Sequence, residues 1–248
     1  MPEVPALLLI LFLAGLAAGV INVMAGGGST ITLPALILLG LDAGVANGTN
    51  RVAILVQNIV ATLTFSHDKK TRLKTSFRYA LWTIPGAIAG AFFATHIEDA
   101  LFEKILAGIL ILVVLSMLVP TNYSSIGQDP RHSIWAGPSL FAVGIYGGFV
   151  QVGVGFMLMA VFVHLLKIDL LTTTVHKLTV VLIYMIPALL LFAFMGKVDW
   201  ILGLVLAAGN AFGAFFAAKM AIRRGEKVIR IVLMVAVMMM AFKILGII

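Results

Sequence analysis

Apolar residues along this chain fall into long, nearly unbroken runs, at 5–40, 44–66, 77–95, 101–119, 134–166, 178–195, 199–218 and 228–248. A helical run of about 20 apolar residues matches the hydrocarbon thickness of a bilayer, so these runs predict membrane-embedded helices. Two of them, 5–40 and 134–166, are too long for one upright span. Each is interrupted near its middle by glycine: Gly26, Gly27 and Gly28 in the first, Gly147, Gly148, Gly153 and Gly155 in the second. Each reads as a re-entrant hairpin of two short helices with its tip near the membrane midplane. A steeply tilted helix with a glycine kink is the alternative. The longest polar stretch, 120–133, contains Pro120 and Pro130 and reads as a linker between two halves.

The halves repeat one another. Gly86-Ala87-Ile88-Ala89-Gly90-Ala91-Phe92-Phe93-Ala94 returns 123 residues later as Gly209-Asn210-Ala211-Phe212-Gly213-Ala214-Phe215-Phe216-Ala217. An offset of 129 carries Gly15, Gly19, Asn22 and Gly26 onto Gly144, Gly148, Gln151 and Gly155. Between these, Asn50-Arg51 falls on His176-Lys177 at an offset of 126. The expected architecture is an all-α polytopic membrane protein made of two inverted repeats. Repeat 1 occupies 1–119, with hairpin 5–40 and spans 44–66, 77–95 and 101–119. A cytoplasmic linker takes 120–133. Repeat 2 occupies 134–248, with hairpin 134–166 and spans 178–195, 199–218 and 228–248.

The inversion comes from charge. If each half crossed four times, the basic loops 67–78 and 219–230 would lie on opposite sides and the cations would show no bias. With both hairpins re-entrant, 13 of the 17 Lys and Arg fall on one side, leaving Arg51, Lys104, Lys197 and Lys243 on the other. That asymmetry is the positive-inside pattern, with the basic loops cytoplasmic.

Composition narrows the class further. Of 248 residues, 62% are hydrophobic and 11% charged, and the mean hydropathy is +1.14. Soluble domains carry roughly a quarter charged residues, so bulk water is excluded as the main solvent. The net charge of +7 does not point to nucleic acid, because the cations sit in short loops beside apolar runs. With no cysteine, disulfides and thiolate chemistry are excluded. The five histidines show no metal-ligand spacing, and no nucleophile–base set is discernible, so no enzyme, metal or cofactor is expected. No Lys or Arg precedes Arg51, so residues 1–25 lack the basic start of a signal peptide and are expected to be retained. All ten acidic residues lie in loops or near span ends, which argues against a buried carboxylate proton relay.

Irregular backbone at membrane depth is tolerated only where protein buries it or it lines a cavity, so the two tips are the first candidate site. In the first, Asn22 precedes Gly26-Gly27-Gly28-Ser29-Thr30, and Ser29 or Thr30 is a natural N-cap for the helix that follows. The free N–H groups of that helix end form a ready anion site. Gln151 with Gly153 and Gly155 repeats the arrangement without the hydroxyls. Packing alone is the competing reading of these glycines. A second polar group comprises Thr49, Asn50 and Arg51, with His176 and Lys177 as the equivalents of Asn50 and Arg51. Cations about one turn into an apolar span face a cavity or partner, or snorkel to headgroups.

The Gly-x-x-x-Gly-x-x-Asn/Gln opening and glycine-rich break in both halves, with Gly48-Thr49-Asn50-Arg51 heading the next span, resemble the TauE/SafE sulfite-exporter family from about Ala6 to Leu245. The resemblance implies an inner-membrane permease that exports sulfite or sulfonates. Position by position, it points to Asn22 with Gly26 through Ser29, Gln151 with Gly153 and Gly155, and Thr49-Asn50-Arg51. The second half departs from the first, since Gly27, Gly28 and Ser29 correspond to Phe156, Met157 and Leu158.

The expected function is movement of a small sulfur oxyanion, such as sulfite or sulfoacetate, through a midplane site between the tips. Its partners would be the small anion and the lipid bilayer, with no nucleic acid, and a homo-oligomer is compatible. An anion channel of the same architecture and a membrane assembly factor are the rivals. Topology is directly testable in this cysteine-free chain. Single cysteines at Ser66, Thr71, Gln128 and Gly225 should all react from the cytoplasmic side only. Labelling of Gly225→Cys from the opposite side overturns the inverted arrangement.

Overall fold

The computed structural model describes residues 3–66, 73–117, 133–225 and 227–229. The loop at 67–72, nearly all of the linker and the last expected span from 230 onward lie outside the described residues. The described residues include nine α-helices, α1 (Glu3–Met24), α2 (Ser29–Leu38), α3 (Ala43–Ser66), α4 (Leu73–His96), α5 (Asp99–Met117), α6 (Ala136–Phe149), α7 (Val154–Ala160), α8 (Leu170–Phe194) and α9 (Trp200–Arg224), and 227–229 are also helical. Helix α7 continues into a π-helical turn, Val161–Leu165. No strand occurs among the described residues.

The first long apolar run breaks at 25–28, over Gly26, Gly27 and Gly28. The second breaks at 150–153, where of the four expected glycines only Gly153 falls, Gly147 and Gly148 lying inside α6 and Gly155 inside α7. One expectation is corrected. The first arm is not short, because Gly15, Gly19 and Asn22 do not break the helix that runs through Pro5–Met24. Helix α1 has 22 residues, about 33 Å, enough to cross a bilayer core unaided. The other arms are short: α2 has 10 residues, α6 has 14 and α7 has 7. A second boundary also moves. Helix α8 begins at Leu170 rather than 178, because the Asp169 carboxylate accepts from the Thr172 N–H and caps it. His176 and Lys177 therefore lie about two turns inside a helix. Asp199 caps α9 in the same way, through the Leu202 N–H.

Side chains such as Leu9, Ile10, Phe93, Leu190, Ile201, Phe212 and Phe216 are exposed on the outside, the distribution a lipid solvent selects. The polar residues go inward. Helix α3 buries Asn47, Thr49, Asn50, Arg51, Gln57 and Asn58, and α8 buries Thr173, Thr174, His176 and Lys177. These two helices are equivalents in the repeat, and they run in opposite directions. Gly48 near the start of α3 lies beside Phe192 near the end of α8. Ala61 and Phe65 toward the end of α3 share a cluster with Val175 and Leu178 near the start of α8.

Small residues set the remaining contacts. Gly15 and Gly19 of α1 meet α9 at Leu206, Asn210 and Ala214, while Gly209 and Gly213 of α9 meet α1 at Phe12, Leu16 and Val20. The numbers rise together, so the pair is parallel. Its counterpart is α4 with α6. Gly86 and Gly90 pack on Phe141, Ile145 and Phe149, and Gly144 and Gly148 pack on Thr83 and Ala87. Each small-xxx-small face thus lies against the other half of the chain. A Cβ at Gly15 would stand 2.6 Å from the Leu206 carbonyl oxygen. Gly213→Leu and Gly90→Leu should each cost about 1–3 kcal/mol or more through overpacking. Gly108→Leu, which meets open space, should be neutral. Thermal melts in detergent check this, and equal midpoints for all three would refute the packing argument.

Candidate functional site

The two breaks meet. Gly26 has φ +94°, a conformation open to glycine, and a Cβ there would lie 2.5 Å from the Gly155 Cα. Gly26 and Gly155 are equivalent positions in the repeat, so the contact joins corresponding points of the two halves. Beyond the first break, Gly28 rather than Ser29 caps α2, and no side chain bonds to that end. The Thr30 hydroxyl donates instead to the Gly27 carbonyl at 2.6 Å. The expected hydroxyl cap is therefore absent, because Ser29 is already the first helical residue. In consequence the N–H groups of Gly27, Gly28 and Ser29 donate to no partner among the described residues. Those of Val154 and Gly155, after the left-handed Gly153 (φ 72°), are likewise unpaired. Unpaired N–H groups at a helix start carry partial positive charge and are suited to anions.

The two cations face the other side of each break. Arg51 of α3 is fully buried. Its guanidinium donates to the carbonyls of Gly147 at 3.1 Å, Gly148 at 2.5 Å and Phe149 at 3.4 Å, the final turn of α6. It also lies 4.4 Å from the centre of the Phe192 ring. Lys177 of α8, buried as deeply, donates to the carbonyls of Asn22 at 3.1 Å and Val23 at 2.9 Å, the final turn of α1. Each half therefore supplies the cation that receives the last carbonyls of the other half's broken helix. Positive charge at a helix C-terminus is the favourable polarity. Neither side chain snorkels to a headgroup.

The amides split between the two tips. Asn22 and Asn210 both donate to Gln57 Oε1, at 3.1 and 3.2 Å, tying α1, α9 and α3 together. On the equivalent side, Tyr184 donates to Gln151 Oε1 at 3.0 Å, and Ala87 stands where Asn210 does in the other half. Asn50 accepts from Thr32 of α2 at 2.7 Å, and Asn47 donates to the Phe149 carbonyl at 2.8 Å. Asn50 Nδ2 and Arg51 Nε are buried with no hydrogen-bond partner. Two expected residues sit elsewhere. The Thr49 hydroxyl accepts from the Asp199 N–H at 2.9 Å, joining α3 to the start of α9. His176 of α8 packs against α4 and the π-helical turn, with Nδ1 2.7 Å from Ser76 Oγ and its ring against Tyr79 and Phe162. Sequence reasoning missed Gln57, Asn210, Tyr184 and Thr32. The repeat alignment held one usable signal, an asparagine opposite Ala87.

The family model for the sulfite exporter TauE/SafE matches residues 11–244 of this chain. The chain belongs to the TauE/SafE family. Among its relatives are a probable membrane transporter protein of Sinorhizobium sp., 30% identical over 246 residues, covering 97% of this chain and 93% of that one. A probable membrane transporter protein of Haemophilus influenzae is 29% identical, covering 96% and 94%. The probable membrane transporter protein YfcA of Escherichia coli is also 29% identical, covering 97% and 90%. No solved structure matches. As a TauE/SafE member with several membrane-capable helices, the protein is a multi-pass membrane transporter.

Gln57 is the keystone of the amide cluster in this TauE/SafE protein. Gln57→Leu would leave both Asn22 and Asn210 without their acceptor, at about 1–3 kcal/mol for each buried donor. Gln57→Glu, which keeps the acceptor, should retain more stability. Denaturation in mild detergent would show the order, and a fully stable Gln57→Leu protein would contradict it.

Proposed function

We propose that this protein moves small sulfur oxyanions, sulfite or a short organosulfonate such as sulfoacetate, across the inner membrane, in the direction of export. The binding site is the junction of the two hairpin tips, within an inverted pair of repeats whose basic loops face the cytoplasm. One observation carries the reading: Gly26 lies against Gly155, with the unpaired N–H groups of both following helix starts beside that contact. Helix N-termini aimed at a midplane ligand are a recurrent transporter device. The unpartnered donors Asn50 Nδ2 and Arg51 Nε support an anionic ligand as well. Gly26 through Thr30, with Asn22, form the first wall, and Gln151, Gly153 and Gly155 form the second. Thr49, Asn50, Arg51, His176 and Lys177 complete the polar surroundings.

Export of an anion from a cell that is negative inside is driven by the potential, about 2.3 kcal/mol per charge per 100 mV. Without mid-span carboxylates to return protons, the reading is potential-driven uniport. The test is flux of labelled sulfite, sulfoacetate, taurine and sulfate in proteoliposomes, with an imposed potential or an imposed pH gradient. Potential alone should drive flux, and a strict need for a proton gradient would defeat the uniport argument. Asn22→Leu should weaken ligand binding about ten- to a hundredfold, the worth of a hydrogen bond to a charged group. Gln57 retains its bond from Asn210 in that variant, so the fold should persist. Unchanged affinity in a folded Asn22→Leu protein would mean that the first tip merely packs.

A further inference from the structure

Resting on the oxyanion reading of the tip junction, we infer that the site is built for a ligand with two negative charges and discriminates against singly charged analogues of the same shape. The argument is one of charge balance. Arg51 and Lys177 are 0% and 1% exposed. Neither meets a carboxylate; the ion pair recorded among the described residues is Lys197 with Asp99, elsewhere. Arginine keeps its charge in proteins. Lys177 Nζ donates to three acceptors, the carbonyl oxygens of Asn22 and Val23 and the Met159 sulfur at 3.9 Å. Three acceptors use the three hydrogens of an ammonium group, whereas a neutral amine would turn a lone pair on one of them.

The helix ends do not remove these charges. The C-termini of α1 and α6 contribute about half a negative charge each, and the starts of the following helices offset them with partial positive charge. About two positive charges remain in the protein interior, where an uncompensated ion is costly. Their placement points to one ligand. Lys177 binds residues 22 and 23 just before the first break, and Arg51 binds residues 147–149 just before the second. The breaks touch at Gly26 and Gly155, so the cations flank one junction, one from each half. A monoanion there leaves one charge unbalanced, and a dianion leaves none.

Sulfoacetate and sulfoacetamide test this, because they share a shape and differ by one charge at neutral pH. With the full-length protein in proteoliposomes, sulfoacetate should bind on the order of tenfold tighter or more. Lys177→Gln, which keeps a donor for the α1 carbonyls, should bring the two ligands within about threefold by weakening sulfoacetate. Lys177→Arg should preserve the preference. Equal affinity of the native protein for both ligands overturns the dianion inference and leaves the oxyanion reading standing. Failure of sulfite, sulfoacetate and sulfoacetamide alike to bind overturns both. The native ratio is decisive even if Lys177→Gln does not fold.

Discussion

A helix that stops inside a membrane protein presents up to four carbonyl oxygens where no water can reach them. Two helices of this chain, α1 and α6, stop in that way, and the interior is organised around supplying their missing donors. The donors are Lys177 and Arg51, and both cross from the opposite half. A carboxylate could not have served, since it accepts and does not donate. A neutral amide would have offered two hydrogens without the favourable charge at a negative helix end. Cations suit the ends of the broken helices, and their charge then becomes a property of the whole core.

Much of this is legible in the sequence, for identifiable reasons. Glycine is the only residue that tolerates both the left-handed backbone of Gly26 and the contact with Gly155, so the breaks are visible as glycine clusters. The repeat is visible because small-residue spacing cannot drift without separating two helices. What stays hidden depends on distance along the chain. Nothing local says that α1 lies parallel to α9, or that Arg51 reaches residues some 96 positions away. The start of α8 is hidden for another reason: Thr172, Thr173 and Thr174 look like loop, yet Thr173 and Thr174 fold their hydroxyls back onto the carbonyls of Ile168 and Leu170. The buried role of Gln57 is equally invisible, because an isolated amide in an apolar run carries no period.

The two halves share a backbone plan and differ in side chains. Around the first break, three amides form one cluster across three helices, Asn22, Gln57 and Asn210. Around the second, a phenol and one amide pair, Tyr184 and Gln151, with alanine in the third place. The first cluster is richer in donors and acceptors, and the second is bulkier and more apolar. The common part is the N–H-lined contact of the glycines, and the part that distinguishes the halves is carried by these few residues.

The glycine-lined pairing of α1 with α9 has a consequence for biosynthesis. Gly19 and Gly209 belong to one interface, yet about 190 residues separate them. At roughly 5–20 residues per second, α1 waits on the order of ten to forty seconds for α9 to be made. During that interval its small-residue face, and the carbonyls that Lys177 will later receive, have only lipid, the insertion machinery or nascent neighbours for company. The α4 and α6 pair closes sooner, since Gly90 and Gly148 are less than sixty residues apart. Along the chain, the α4–α6 interface is complete well before the α1–α9 interface can be, so α1 spends the longer time without its glycine-lined partner.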